Sequence, residues 1–311
     1  MIAAASCLVS ELFKLSDWHM NKAWTIIKRA AGDFVGDGAL TQAAAVAFYT
    51  ALSFAPMLVI TLTVSSYLAD GSQAKIVDQL RGLIGPSAAG AVDVVIDNAK
   101  EEPTLGSIAG IISLCMLLLS ATAVFAQLQS ALNTIWEVQA KSGRSVWNWL
   151  RKRVLTLGLL LVVLFLLLVS LVVNAALSMV LSGEGWIWQP VNLIVSFLVF
   201  TLLFAAMFQM LPDVSIAWKD VWFGAVTTTA LFIIGKWVIG LYLGNSGLGS
   251  AYGAAGSVIV FLIWVYYSSI ILFFGAELTQ SYAIETGSRF EPEEHAQWID
   301  GRDRTKADKP T

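Results

Sequence analysis

The chain has 311 residues, of which 57% are hydrophobic and only 13% are charged. A soluble domain carries about twice that share of charge, so the composition excludes an ordinary globular enzyme, a disordered chain and a collagen-like chain. The net charge of −3 is too small to indicate nucleic-acid binding. The two cysteines, Cys7 and Cys115, lie far apart and predict no disulfide framework.

Six apolar segments follow one another along the chain, and each is long enough to cross about 30 Å of hydrocarbon. Their apolar runs do not alternate with polar residues, which predicts helices rather than barrel strands. The predicted fold class is all-α: a polytopic membrane protein of six transmembrane helices, with an N-terminal amphipathic helix and a helical outer loop. The predicted spans are Ala43–Ala69, Thr104–Ile135, Val154–Leu181, Trp188–Leu211, Val221–Leu243 and Tyr252–Ala283.

Three regions follow from these spans. Residues 1–42 form a cytoplasmic segment without the features of a signal peptide, and residues 43–285 form the transmembrane domain. Its outer loop, 70–103, reads as two short amphipathic helices, and residues 286–311 form a polar cytoplasmic tail. Within the first region, apolar residues at near-helical spacing predict an amphipathic helix on the inner membrane surface; they are Trp18, Trp24, Ile27 and Ala31.

The distribution of lysine and arginine predicts the orientation. Fifteen of these residues flank the spans on the side of the termini, whereas three lie on the opposite side. Because basic residues are retained in the cytoplasm, both termini are expected there. Trp136, Trp218 and Trp222 are then expected at the inner membrane interface.

The first predicted span contains unusual small and polar residues. Pro56 removes one backbone donor, and Thr50 or Ser53 is placed to satisfy the carbonyl of Leu52 that this leaves open. An alanine at every fourth position permits close helix packing; the positions are Ala43, Ala47, Ala51 and Ala55. Two interpretations stay open. The span is either a kinked packing helix or the wall of a polar pathway lined by Tyr49, Thr50, Ser53 and Pro56.

Two charged residues, Lys236 and Glu277, lie inside apolar segments. Their depths place them apart, and Glu277 is interpreted as reaching the cytoplasmic interface. Lys236 lies roughly 12 Å inside the outer edge at ~1.5 Å per residue. It is predicted to line an outward-open cavity, together with Asn174 of the third span.

The sequence offers no recognisable catalytic or metal-binding motif. His19 and His295 are the only histidines, and both fall in the predicted cytoplasmic termini, so no metal, cofactor or nuclease chemistry is expected. No phosphate-binding glycine loop ending in Lys-Ser/Thr occurs either, which argues against an ATP-driven pump. Glycines spaced by four residues are interpreted as helix-packing positions; they are Gly106–Gly110, Gly240–Gly244 and Gly249–Gly253.

Several ordered motifs resemble the YihY/virulence factor BrkB family over about residues 20–285. They are Ala43–Pro56, Ala131–Val138 with Asn133, Leu211–Pro212–Asp213, Tyr252–Ser257 with Gly253 and Gly256, Leu262–Tyr267, and Gly275–Glu277. Lys236 and Tyr242 also fall where this family tends to carry a Lys and a Tyr. The resemblance implies a six-helix protein of the bacterial inner membrane, and it makes Asn133, Pro212, Tyr252, Gly253, Gly256 and Glu277 motif residues.

The resemblance does not supply a settled activity, although such proteins were long labelled ribonuclease BN. Three hypotheses stay open. The first is a transporter or flippase of a lipid-like or organic solute, with Lys236, Tyr242, Asn174 and the polar residues of the first span along its route. The second is a non-transporting envelope scaffold, and the third is a ribonuclease. The expected partners are membrane lipids and an amphiphilic substrate, without nucleic acid; the sequence indicates no oligomeric state.

Overall fold

The structure is a computed structural model, and it describes residues 22–68, 108–141, 188–245 and 254–299. Most of these residues are helical. Helix α1 covers 22–36. It is followed by α2 (Ala39–Leu68), α3 (Ile108–Ile135), α4 (Trp188–Met210), α5 (Trp218–Asn245) and α6 (Ala254–Glu285).

The helices begin and end close to the predicted spans because each apolar run continues without a break. Within the described residues, three helices are long and apolar enough to cross a membrane: Leu193–Met210, Trp218–Tyr242 and Val258–Glu285. α2 and α3 are helices where the first two spans were predicted. The predicted third span, 154–181, and the outer loop, 70–103, lie outside the described residues.

Within the described ranges, four short strands depart from the predicted all-α fold. β1 (Val138–Ala140) pairs in antiparallel fashion with β4 (Ala296–Trp298), and Val138 lies opposite Trp298. β2 (Val214–Ser215) pairs in the same way with β3 (Glu291–Pro292). Residues 288–299 of the predicted polar tail are therefore held in place by two loops that follow helices.

Two glycines end helices in the left-handed region that side chains disfavour. Gly38, at φ 64°, separates α1 from α2. Gly287, at φ 69°, ends α6: its N–H donates to the carbonyl of Ile284, and the N–H of Ser288 donates to that of Ala283. This pair of bonds is a Schellman cap, which satisfies the last carbonyls of the helix and turns the chain towards β3.

The chain divides into two compact units. The strand-bearing unit comprises the described residues of Met1–Ala39, Leu132–Thr228 and Phe273–Thr311, and the helical unit comprises those of Leu40–Ala131 and Thr229–Leu272. α3, α5 and α6 contribute residues to both. The largest fully buried side chains of the described residues, among them Trp136, Phe208 and Phe273, all belong to the strand-bearing unit.

In the strand-bearing unit, α5 and α6 meet through a reciprocal pair of glycine–threonine contacts. A Cβ placed on Gly224 would lie 1.8 Å from Thr279 Oγ1, and one placed on Gly275 would lie 1.9 Å from Thr228 Oγ1. Each threonine hydroxyl donates to the carbonyl of the glycine on its own helix, at 2.6 Å for Thr228 and 2.7 Å for Thr279. The missing side chains therefore admit the opposing threonines, and the helices approach closely.

In the helical unit, Gly235 of α5 takes the same role against α6. A Cβ there would lie 2.1 Å from the Tyr267 hydroxyl, so the tyrosine occupies the space above the glycine. Gly240, which its four-residue spacing marked as a packing position, is exposed, and a Cβ on it would meet no described atom within 4 Å. The packing interpretation of Gly240 is therefore wrong for the part of the chain that the structure describes.

Candidate functional site

Lys236 lies on α5 in the helical unit, within the candidate span Trp218–Tyr242. Its side chain is half-buried, between the buried Gly235 and the exposed Trp237. Tyr267 of α6 packs on Gly235 of α5 with its hydroxyl group. Lys236 is the next residue along α5. Most of the exposed surface of this stretch of α5 is apolar; it includes Ile234, Trp237, Val238 and Leu241. Because a charged side chain costs free energy in hydrocarbon, a lysine in such a span is a candidate functional residue.

The polar residues of the first span lie on α2 and in the same unit. Tyr49, Thr50 and Ser53 are half-buried, and α2 continues as helix across Pro56. The Ser53 hydroxyl donates to the carbonyl of Thr50 at 2.9 Å, and not to the Leu52 carbonyl that the missing N–H of Pro56 leaves open. Two turns before Tyr49, the side-chain amides of Gln42 on α2 and Gln127 on α3 are hydrogen-bonded to each other.

The remaining predicted pathway and motif residues are placed only in part. Tyr242 is 60% exposed on α5, and Gly256 is buried in α6. Asn174, Tyr252 and Gly253, and the side chain of Pro56, lie outside the described residues. Lys236 and Glu277 belong to different units.

Glu277 does not reach the interface, so the sequence-based interpretation of this residue is wrong. Its side chain on α6 is 0% exposed, and neither carboxylate oxygen has a hydrogen-bond partner among the described residues. Trp136, expected at the interface, is also buried, with its ring packed edge-to-face on Phe290 at 5.0 Å. Trp218 and Trp222 are exposed, which fits their predicted place at the membrane interface.

The groups that act electrostatically on Glu277 are all acidic. They are Asp33 of α1, Asp37 of the turn after it, and Glu137 of the turn after α3. Glu137 has φ 55°, the one positive φ of a non-glycine residue among the described residues, which costs about 1–2 kcal/mol. All three belong to the strand-bearing unit, and Glu137 stands on strained backbone.

A second polar cluster joins the ends of α3 and α4 to the C-terminal strands. Asp213 is 4% exposed and follows α4. Its Oδ2 accepts from Asn133 Nδ2 at 2.9 Å, its own N–H donates to Asn133 Oδ1 at 2.8 Å, and its Oδ1 lies 3.0 Å from His295 Nε2. Asn133, Asp213 and His295, named here the clamp, connect through these contacts the end of α3, the segment after α4 and the segment between β3 and β4.

The sequence motifs contained only two of the three clamp residues. Asn133 and Pro212–Asp213 stood in the quoted motifs, but nothing in the pattern brought His295 to them. His295, which the sequence placed in the C-terminal tail without any partner, also has its Nδ1 3.5 Å from Glu293 Oε2. Among the described residues, however, no group of three or more His, Cys, Asp or Glu is placed to hold a metal ion.

Comparisons with known proteins agree with the motifs. A family model described as virulence factor BrkB matches residues 30–299. Similar curated proteins, each named UPF0761 membrane protein, come from Alkalilimnicola ehrlichii (28% identical over 80% of this chain), a Psychrobacter species (23% over 91%) and Xanthomonas campestris (25% over 84%). The chain spans 56%, 53% and 60% of those proteins respectively. No solved structure matches.

Proposed function

Because the chain belongs to the virulence factor BrkB family, a family of membrane proteins, we propose that it moves a lipid-like or organic solute across the bacterial inner membrane. In this proposal six helices cross the bilayer, both termini are cytoplasmic, and the protein is not an enzyme. Its partners are membrane lipids and an amphiphilic substrate, and it binds no nucleic acid.

The observation that carries the proposal is the half-buried Lys236 in a candidate span. A charged side chain in such a position costs about 3 kcal/mol on insertion scales, so anchoring alone is a poor reason for it. The adjacent Gly235 admits the Tyr267 hydroxyl, which adds a polar group from a second helix. A compact ammonium in such a span is suited to an anionic head group or organic anion passing along the helices.

The polar residues of α2 support the same route without carrying it. Tyr49, Thr50 and Ser53 share the helical unit with Lys236 and are neither fully buried nor fully exposed. We propose that they line the route together with Asn174 and Tyr242. The clamp, in contrast, is satisfied by its own members, and we assign it a structural role rather than the acid–base chemistry of a ribonuclease.

Lys236→Met tests the proposal. The probe is a phosphatidylglycerol with a fluorescent head-group label, in liposomes of phosphatidylethanolamine and phosphatidylglycerol that contain the purified protein. Bleaching of the outer leaflet reports how fast labelled lipid crosses. We expect the protein-dependent rate to fall at least tenfold in Lys236→Met and to stay partly intact in Lys236→Arg, because the positive charge is the functional element.

Lys219→Met is the matched control, since Lys219 lies on the same helix but is exposed at its start. It should keep the wild-type rate. Equal rates in wild-type protein and Lys236→Met, with both folded by size-exclusion chromatography, would refute the role of Lys236. Liposomes in which the wild-type protein moves no labelled lipid or organic anion would favour the scaffold hypothesis.

A further inference from the structure

The stripe of α6 that contains Glu277 is covered by two different segments of the strand-bearing unit. Phe274, one turn before the glutamate, contacts the ring of Phe34 on α1 at a centroid distance of 5.8 Å. Gln280, one turn after it, donates its amide to the carbonyl of Ile135 at the end of α3. Residues three apart lie on the same helix face, so Glu277 lies between the two contacts, facing both segments.

Each covering segment also carries acidic residues whose charge acts on Glu277. α1 and its following turn bring Asp33 and Asp37, and the turn after α3 brings Glu137. Arg29 of α1 lies 3.7 Å from Asp33, and both side chains are about one-third exposed or less. On α6 itself, the neighbouring Ser281 is buried, and its hydroxyl has no hydrogen-bond partner among the described residues.

An ionised carboxylate cannot be held in this arrangement at acceptable cost. It would be removed from water without a described hydrogen-bond donor to either oxygen, and the acidic residues of the covering segments would add unfavourable charge. A carboxyl group in such surroundings is neutralised by binding a proton. A metal ion would need several carboxylates gathered around one point, and the described residues contain no such group.

We propose that Glu277 is a proton-binding site, and that its bound proton keeps α1 and the turn after α3 packed against α6. When the proton leaves to water, an ionised carboxylate without a described donor stands between these two contacts, and α1 loosens from α6. The site differs from Lys236 in residue and unit. This inference therefore stands whether or not the chain transports a solute.

Infrared spectroscopy of the protein in lipid nanodiscs tests the first part. A neutral carboxylic acid has its own C=O stretching band, which a carboxylate lacks. We expect the wild-type protein at neutral pH to show such a band, Glu277→Gln to lose it, and Glu285→Gln, two turns further along the same helix and partly exposed, to keep it. Identical spectra from wild-type protein and Glu277→Gln overturn the proposal, as does a wild-type band that sodium or calcium ions abolish at constant pH.

Glu277→Asp keeps the test decisive if Glu277→Gln does not fold. This variant retains a carboxyl group at a shifted position, so the band should persist at a changed frequency. A spectrum that is unchanged in Glu277→Asp contradicts the assignment of the band to this residue.

Thiol labelling tests the second part, the loosening of α1. Ala30 is 0% exposed on the packed face of α1, whereas Ala31 beside it is exposed. In a protein whose native cysteines are replaced by serine, the labelling rate of Ala30→Cys is divided by that of Ala31→Cys, which cancels the effect of pH on the thiol. We expect this ratio to rise severalfold from neutral to alkaline pH, and to stay constant once Glu277→Gln is added. A ratio that rises equally with and without Glu277→Gln refutes the coupling.

Discussion

At the scale of single residues, Asp213 shows how one buried carboxylate connects distant parts of a chain. Its side chain and backbone contact Asn133 at the end of α3, and Glu293 and His295 in the segment that joins β3 to β4. The carboxylate is 4% exposed, so the loss of any partner leaves a buried polar group unsatisfied. Such a loss costs more than the bond itself contributes, about 1–3 kcal/mol.

A double-mutant cycle on Asn133 and Asp213 tests this role. Asn133→Asp should destabilise the protein by about 1–3 kcal/mol, because it places one carboxylate against another. Asp213→Asn should cost a similar amount, because it removes the charge that His295 faces. In the double variant the amide and the carboxylate exchange places, and the Asp213 backbone N–H retains an acceptor. Thermal unfolding in detergent should therefore show less destabilisation than the two single changes predict together, and strict additivity would show that the two side chains do not interact.

The sequence predicted the chemistry of individual residues unevenly. Lys236 and Glu277 could be identified because they are charged residues within apolar segments, and such segments are recognised from hydropathy alone. Hydropathy was not enough to predict that Glu277 is buried rather than at the interface, because burial depends on α1 and the turn after α3, which cover it. His295 was missed for the same reason, since its partners lie far away in the chain.

At the scale of secondary-structure elements, the crossing of α5 and α6 depends on the absence of two side chains. Gly224 and Gly275 each leave room for a threonine of the opposing helix. Next to this crossing, Phe223 of α5 stacks on Tyr282 of α6 at a centroid distance of 3.9 Å. The two helices therefore have little freedom to move apart or to rotate here without the loss of several close contacts.

Gly224→Ala should destabilise the protein, because its new methyl group would overlap the Thr279 hydroxyl. We expect a loss of about 1–3 kcal/mol, as for other overpacked interiors, measured as a lower midpoint of thermal unfolding in detergent. Gly240→Ala is the control: it adds the same methyl group to the same helix, where no described atom lies within 4 Å. Equal midpoints for Gly224→Ala and wild type would show that the helices are not in close contact at this crossing.

Hydropathy predicted the helices well and their contacts poorly. An apolar run of about 20 residues must satisfy its backbone internally in a membrane, so helix positions follow from composition. The glycine spacing pointed to Gly240, but the glycines in contact pair with threonines and tyrosine instead. The strands were not predicted at all, since segments of two or three residues contain no periodicity and depend on a partner strand far along the chain.

At the scale of the whole molecule, the orientation in the membrane is the clearest quantity to test. Fifteen basic residues on the side of the termini against three on the other predict that both termini are cytoplasmic. A reporter enzyme fused after residue 145 or after residue 311 should be active as a cytoplasmic protein. A reporter fused near residue 90 should behave as an external one. A cytoplasmic signal from the fusion near residue 90 would contradict both the orientation and the count of spans.

The discontinuous make-up of the strand-bearing unit has a consequence for biosynthesis. β1 emerges early and pairs with β4, which is translated only after α4, α5 and α6. At 5–20 residues per second, β1 waits about 8–30 s for its partner, and the apolar Trp136 and Val138 beside it lack their final packing during that time. The insertion of the helices into the membrane is thus uncoupled from completion of this unit. A nascent chain released before β4 leaves the ribosome would present that uncovered surface to proteases and chaperones.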